Sequence, residues 1–110
     1  MGAIKTMEDQ EYILCAAIHY DDVKVYIHQP TNIKTGFVIA GRRHHNCVYT
    51  FGILNKELVM KLKATHTDGF ITNTNRFVDR KEAFKIAKDA NQIISIANTR
   101  SKNLYSEDLY

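Results

Sequence analysis

The chain has 110 residues, which is enough for one domain with one hydrophobic core and too few for two. Its composition is 45% hydrophobic and 25% charged, with one proline and five glycines, so we expect a folded globular protein without low-complexity tracts. The 15 Lys and Arg residues and 12 Asp and Glu residues give a net charge of +3. This excess is too small for the dense basic surface of a duplex-binding domain, so any anionic ligand is expected at a local site.

The cysteines and the hydropathy pattern indicate the compartment. Cys15 and Cys47 are far apart in the sequence, which favours reduced thiols over a disulfide framework, although a disulfide between them stays open. No apolar run approaches the ~20 residues of a membrane span, and the first residues lack the pattern of a secretion signal. We therefore expect a soluble intracellular protein.

The first half of the chain predicts a flexible start and a small antiparallel sheet. Residues 1–11 are polar and aperiodic, so we expect a flexible lead-in before a single α+β ligand-binding domain over residues 12–110. The β-rich runs EYILCAAIHY and VKVYIHQ, separated by Asp21 and Asp22, predict a hairpin. The apolar run GFVIA, residues 36–40, predicts a third strand.

The second half predicts two main helices with a hairpin between them. Apolar residues recur at helical spacing from about His45 into residues 58–63, and Gly52 is a weak point where the helix is open to interruption. The stretch GFITNTNRFVD predicts a small hairpin or an extended loop. Asp79 then provides a capping signal for a helix over about residues 80–92. The predicted fold class is α+β, with a small antiparallel β-sheet and two main helices in a single domain.

The stretch GRRHHNCV concentrates cationic and hydrogen-bonding groups directly after a predicted strand. Adjacency alone does not give Cys47 and a histidine the geometry of a catalytic pair, and the histidines lack the spacing of zinc ligands. A strand end followed by a helix start favours phosphate capture by backbone amides and cationic side chains, with a solvated basic turn or an oligomer contact as alternatives. The side chains proposed for phosphate contact are Arg42, Arg43, His44 and His45.

The stretch GFITNTNRFVDR combines aromatic, amide and guanidinium groups. Aromatic faces stack on nucleobases, amides hydrogen-bond base edges or ribose hydroxyls, and arginines bind phosphate, so the combination suits a nucleotide. The alternative is a hairpin whose phenylalanines belong to the hydrophobic core. The candidate ligand residues are Phe70, Thr72, Asn73, Asn75, Arg76, Phe77 and Arg80.

Several segments together are similar to a family of small phage proteins: GFVIAGRRHHNC, GFITNTNRFVDRKEAFKIAKDANQI and the terminal LYSEDLY. Over residues 15–110 the chain resembles the first Thoeris anti-defence family, and NRFVDRKEA is the most specific part of the resemblance. The resemblance implies a sponge that binds cyclic ADP-ribose isomers made by TIR-domain enzymes. Such a protein sequesters the nucleotide without cleaving it, in the cytoplasm of the infected bacterial host, and so blocks Thoeris immunity.

The resemblance also implies an assembly and a set of contacts. Family members combine an antiparallel sheet with helices and form dimers or hexamers with ligand pockets at subunit contacts, and some hold cyclic oligonucleotides in separate sites. No catalytic residue, metal, cofactor, membrane or duplex nucleic acid is expected. The matching motif positions are Arg43, Phe70, Asn75, Arg76, Phe77 and Arg80.

Other classes of function stay open on the sequence. One is a protein-interaction module that inhibits a host enzyme directly, with the basic turn docking on an acidic surface. Another is a nucleotide hydrolase, which metal dependence and turnover would reveal. Weak binding of single-stranded nucleic acid is a further class, and a steep salt dependence would reveal it.

Overall fold

Two strands form the centre of the sheet, because each of them pairs with a neighbour on both sides. In the computed structural model, which describes residues 10–54, 66–94 and 102–109, the strands are β1 Ile13–Tyr20, β2 Phe37–Gly41, β3 His66–Thr72 and β4 Phe77–Asp79. They form one antiparallel sheet in the order β2-β1-β3-β4. The helices of the described residues are α1 His44–Leu54, α2 Arg80–Asp89 and a short 3-10 helix, Ser106–Asp108. The predicted α+β fold class is confirmed.

Both α-helices pack on the same face of the sheet. Ala16, Ile18 and Tyr20 are two residues apart along β1, so their side chains share that face. Helix α1 covers the end at Ile18 and Tyr20 with Cys47 and Phe51, which are buried in the same cluster. The aromatic rings of Tyr20 and Phe51 are 4.2 Å apart between centroids. Helix α1 is therefore fixed over β1 and β2.

Helix α2 covers the other part of this face. Ala16 and its β3 partner Phe70 pack against Ala83 and Ala87, and all four residues are fully buried. Small side chains on the inner face of α2 let the helix backbone approach the sheet closely. Leu104 completes this cluster; it lies in residues 102–109, which we call the C-terminal segment. The C-terminal segment thus joins the helical side of the molecule.

Residues 21–36, which connect β1 to β2, contain no strand, so the predicted hairpin of VKVYIHQ is wrong. The carboxylates of Asp21 and Asp22 accept hydrogen bonds from the backbone amides of Val23 and Lys24 at 2.9 and 3.0 Å. Val23 also has a φ of 66°, a left-handed conformation that turns the chain out of a strand. The place beside β1 is taken by β2, which is the predicted third strand shifted by one residue.

The same connecting segment crosses to β4 on the face opposite the helices. The Asn32 amide brackets the Phe77 backbone, with Nδ2 donating to the carbonyl at 2.6 Å and Oδ1 accepting from the N–H at 2.8 Å. The Thr31 N–H donates to the Asn75 carbonyl at 2.8 Å. The side chain of His19, which points to this face, has its ring 5.7 Å from that of Phe77. The segment therefore ties β1 to the far edge of the sheet.

The hairpin predicted around TNTN is confirmed, and it adds β3 and β4 to the sheet. Its turn contains Asn75 in a left-handed conformation, with φ 61°. Helix α1 begins at His44, one residue before the predicted start, and passes through Gly52 without a break. The predicted continuation into residues 58–63 lies outside the described residues.

The predicted cap of α2 is confirmed, and only the end of the helix differs. The Asp79 carboxylate accepts a hydrogen bond from the Glu82 N–H at 2.8 Å. Helix α2 ends at Asp89, before the predicted end at Gln92. Asn91 has a φ of 57°, and a left-handed residue at this position ends a helix.

Gly69 in β3 has no room for a side chain. A Cβ atom there would lie 2.1 Å from the Val78 carbonyl oxygen and 2.6 Å from Cζ of Phe77. We expect Gly69→Ala to lower the free energy of unfolding by about 2–3 kcal/mol, because β4 must move away from β3. Urea unfolding followed by circular dichroism measures this loss.

Gly52→Ala is the matched control. Among the residues that the structure describes, nothing lies within 4 Å of a Cβ atom at Gly52, and alanine inside a helix stabilises it by up to about 1 kcal/mol relative to glycine. Equal free energies of unfolding for the two variants would contradict the steric argument.

Candidate functional site

The basic stretch GRRHHNCV contains the start of α1, and the side chain of its first histidine, His44, points towards the sheet. The His44 Nε2–H donates to the carbonyl of Gly69 at 2.8 Å, and the ring meets Phe70 edge to face with centroids 5.0 Å apart. Burial lowers the pKa of His44, although the bond to Gly69 acts in the opposite direction. The neutral ring fixes the start of α1 above the middle of β3.

Helix α2 begins beside the same point, since the last residue of β4 is paired with Gly69. The first residue of α2, Arg80, donates from Nη1 to the Leu104 carbonyl at 2.9 Å. Its Nη2 lies 3.5 Å from Oδ2 of Asp68, and its guanidinium carbon lies 4.6 Å from the ring centroid of Tyr105. One arginine thus joins β3, α2 and the C-terminal segment.

An open cleft of about 420 Å³ lies where these three elements meet, and we call it the β3–α2 cleft. Its volume is within the usual range of small-molecule sites. The lining residues are His66, Thr67, Asp68, Asp79, Arg80, Lys81 and Asn103. The cleft therefore combines cationic, carboxylate, amide and imidazole groups.

Part of the basic stretch lies next to this cleft. Arg43 Nη1 is 3.7 Å from Oε1 of Glu107, in the 3-10 helix that follows Tyr105. The charges of Arg80, Asp68 and Glu107 all act on the His44 ring. The structure thus brings Arg43, His44 and Arg80 to one side of the molecule, while Arg42 and His45 are exposed on the surface.

At the start of α1 and at the start of α2, a nearby side chain accepts a hydrogen bond from a backbone N–H. The Asn46 Oδ1 accepts from the Arg43 N–H at 3.1 Å, and Asp79 caps α2. The Asn46 side chain satisfies one of the amides that were expected to capture phosphate at the start of α1, the Arg43 N–H, and phosphate capture by the amides that follow stays a prediction. An anion in the cleft would meet side-chain cations.

The carboxylate of Asp68 is the acidic centre of the cleft. It lies 3.5 Å from the Arg80 guanidinium and 3.6 Å from Nε2 of His66. Both distances exceed the 2.7–2.9 Å of a strong charge-assisted hydrogen bond. The contact of Arg80 with Asp68 is therefore weaker than a strong charge-assisted pair.

The other residues predicted from GFITNTNRFVDR lie elsewhere. Thr72 is four residues beyond Asp68 on β3, a separation of about 13 Å, and Asn73, Asn75 and Arg76 follow it in the turn. Phe70 and Phe77 are 0% and 7% exposed, so their faces pack inside the fold. This placement fits the core alternative for both rings, and their contact with a ligand stays a prediction.

The Arg76 guanidinium is held by Glu11, which lies just before β1. Its Nε and Nη2 donate to the two carboxylate oxygens of Glu11 at 2.8 and 2.6 Å, and Nη2 also donates to Glu82 at 3.1 Å. The Thr72 hydroxyl donates to the same Glu11 carboxylate at 2.8 Å. We call this group the Glu11–Arg76 anchor.

The anchor changes the boundary of the folded region. Glu11 and Gln10 were expected in the flexible lead-in over residues 1–11, but both bind the β3–β4 turn, with Gln10 accepting from Asn73 Nδ2 at 3.0 Å. The anchor joins residues that are 65 positions apart, so no local pattern indicated it. Residues 1–9 of the lead-in lie outside the described part of the chain.

Family membership extends over nearly all of the described residues. A family model described as phage T4 y16D protein matches residues 12–110. The chain belongs to the phage T4 y16D protein family. No curated protein and no solved structure matches it. The y16D family description supports a phage protein, as the Thoeris resemblance implied, and names no ligand or activity.

Several cleft residues of this y16D family member were not predicted to bind a ligand. They come together through the register of β3 and the return of the C-terminal segment, neither of which has a local sequence signature. The terminal LYSEDLY, which was noted as part of the family resemblance, directly follows Asn103 and was a signal for this part of the chain. The cleft residues that were not predicted to bind a ligand are His66, Thr67, Asp68, Asp79, Lys81 and Asn103.

The described residues also bear on three other interpretations of the sequence: a cysteine nucleophile, a metal site and a membrane-spanning helix. Both cysteines are free thiols, and burial raises the pKa of the Cys47 thiol to about 11, which makes it a poor nucleophile at neutral pH. Within residues 10–54, 66–94 and 102–109, no group of three or more His, Cys, Asp or Glu side chains is arranged to hold a metal ion. No helix in this part of the chain is long and apolar enough to span a bilayer.

The Glu11–Arg76 anchor makes the free energy of unfolding depend on pH. The hydrogen bonds from Arg76 lower the pKa of Glu11 from 4.5 to about 2. The unfolded chain therefore binds a proton more readily between these values, so the stabilisation is complete above about pH 5 and disappears as pH falls towards 2. We expect Glu11→Gln to lose about 1–2 kcal/mol at neutral pH, after allowance for solvent screening.

Urea unfolding of both proteins across this pH range measures the effect. The free energies of unfolding of wild type and Glu11→Gln should converge near pH 2. Glu82→Gln is the matched control, because its carboxylate is half exposed and makes one contact to Arg76, so a smaller loss is expected. A constant difference between wild type and Glu11→Gln at all pH values would contradict the anchor.

Proposed function

We propose that this phage protein binds and sequesters a cyclic ADP-ribose-type signalling nucleotide made by TIR-domain enzymes, and so blocks Thoeris immunity. The β3–α2 cleft is the observation that carries the proposal, because it combines phosphate-binding cations with groups that hydrogen-bond sugars. Family membership supports a phage protein, and the resemblance in sequence supports the nucleotide. The place of action would be the cytoplasm of the infected bacterial host.

The chemistry of the cleft matches the parts of such a nucleotide. Arg80 and Lys81 would hold the phosphates, with Arg80 able to offer a planar fork of N–H groups. The Asp68 carboxylate accepts hydrogen bonds and Asn103 both donates and accepts them, as ribose hydroxyls require. The exposed ring of His66 offers a face for the base.

Sequestration, as opposed to cleavage, is the second part of the proposal. His44 is buried in part, and its Nε2 is bonded to a backbone carbonyl, not to a nucleophile. Cys47 lies in the core with its thiol directed towards the Ala16 carbonyl at 3.8 Å. In these positions, both groups serve the fold. The nucleotide would leave the protein unchanged.

Assembly is the third part of the proposal. Nanomolar affinity needs about 12 kcal/mol of binding free energy, and small-molecule sites of this strength enclose most of the ligand surface. The β3–α2 cleft is shallow and largely open to solvent, so it encloses only part of a nucleotide. A second copy of the chain would supply the missing wall, as in the dimers or hexamers that the resemblance implies.

Isothermal titration with cyclic ADP-ribose isomers tests the proposal. We expect saturable binding, with the nucleotide recovered unaltered by chromatography, and an oligomer by light scattering. Absence of binding by the wild-type chain would contradict sequestration, and an altered nucleotide would make the protein an enzyme.

Two variants test whether the ligand binds in the β3–α2 cleft. Arg80→Lys keeps the charge but removes the fork, so we expect at least about tenfold weaker binding. Lys81→Gln removes one exposed charge and should weaken binding about two- to fivefold. Lys24→Gln, on the segment between β1 and β2, is the matched control and should bind like wild type. Equal affinities for all three variants would move the ligand away from this cleft.

A further inference from the structure

A second concave surface lies on the outer side of α2, away from the sheet. It is a partly enclosed groove of about 330 Å³. We call it the lysine groove. It is lined by Lys81, Phe84, Lys85, Lys88, Asp89 and Lys102.

The sequence of α2 explains why the lysines form one stripe. Lys81, Lys85 and Lys88 are four and three residues apart, so they share a helix face and span about 10 Å along the axis. The buried residues Ala83 and Ala87 take the opposite, inner face. The stripe is therefore directed away from the core by the same periodicity that packs the helix.

Phe84 gives the groove an apolar floor. Its side chain packs in part against the core cluster that contains Ala83 and Ala87, and the remaining surface lines the groove. A phenyl ring supported from behind by the core is a rigid surface for an apolar side chain. Lysines with like charges at this spacing repel one another in an isolated helix, although Lys88 in the last turn also interacts favourably with the helix dipole.

We propose that the lysine groove binds an acidic segment of a partner protein. Carboxylates of the segment lie between the ammonium groups, and one apolar side chain of the segment packs on Phe84. Charge complementarity carries the proposal, because four of the six lining residues are lysines around an aromatic floor. The lysine groove is distinct from the β3–α2 cleft, although Lys81 lines both.

The groove fits an acidic peptide better than a single-stranded nucleic acid. Single strands bind on successive aromatic side chains along a continuous cationic path, whereas this groove has one aromatic ring. Asp89 lies among the lysines and would repel a continuous phosphate backbone. A peptide carries separate charges, so it is able to place a cation or a polar group opposite Asp89.

Fluorescence anisotropy with a labelled peptide tests the proposal. The probe is a short peptide in which glutamates flank a central phenylalanine, and the reference peptide has glutamines in place of the glutamates. We expect saturable binding of the first peptide only, at an ionic strength of about 0.15 M. The double variant Lys85→Gln/Lys88→Gln should weaken binding by about fivefold or more. Lys85 and Lys88 line the lysine groove but not the β3–α2 cleft.

Two further variants complete the experiment. Lys34→Gln, an exposed lysine on the segment between β1 and β2, is the matched control and should bind like wild type. Phe84→Leu keeps an apolar side chain against the core but removes the ring, and should also weaken binding. Thermal unfolding verifies that each variant remains folded.

Three results would overturn the proposal. The first is no saturable binding of the acidic peptide to the wild-type chain. The second is equal binding of the glutamate and glutamine peptides, or an unchanged affinity in the Lys85→Gln/Lys88→Gln variant. The third is tighter binding of a single-stranded oligonucleotide that the same double variant abolishes, which would assign the groove to nucleic acid.

Discussion

The close approach of β4 to β3 at Gly69 is the constraint on which the arrangement of the cleft depends. The Val78 carbonyl oxygen would lie only 2.1 Å from a Cβ atom at Gly69, so the two strands meet at this spacing only because the residue is glycine. The carbonyl of Gly69 also receives the His44 ring, and its strand partner is Asp79, the cap of α2. The starts of both helices are therefore positioned from a single residue in the middle of β3.

The two arginines of the NRFVDR segment have different roles because their carboxylate partners lie at different distances. Arg76 holds Glu11 with two short hydrogen bonds, and breaking such a bidentate pair for a ligand would leave a partly buried carboxylate uncompensated. Arg80 lies 3.5 Å from Asp68, so exchange of this partner costs much less. The geometry gives Arg76 a role in the fold, so its contact with a ligand stays a prediction, and it makes Arg80 the better candidate of the two for binding an anion.

Local signals predicted the parts of the fold that depend on neighbouring residues. The Asp79 cap, the start of α2 and the β3–β4 hairpin all follow from patterns within a few positions. The alternation in VKVYIHQ is as regular as that of a strand, but Asx turns at its start and the Asn32 contacts to Phe77 decide its path. The pairing of β1 with β3 and the Glu11–Arg76 anchor are contacts between distant residues, which no local pattern encodes. For the candidate site, an aromatic residue near arginines has the same sequence signature in a nucleotide pocket and in a core.

Lys81 connects the two surfaces of α2, because it lines both the β3–α2 cleft and the lysine groove. An anion bound at either surface lowers the positive potential at Lys81 and draws its flexible side chain to one side. Binding free energies that share such a group are coupled, and the coupling is reciprocal. An acidic segment in the groove would weaken the binding of a nucleotide in the cleft, and the nucleotide would weaken the segment by the same factor. The coupling would be about the two- to fivefold that Lys81 is expected to contribute to nucleotide binding, so a chain that holds a nucleotide would have a modestly lower affinity for an acidic segment.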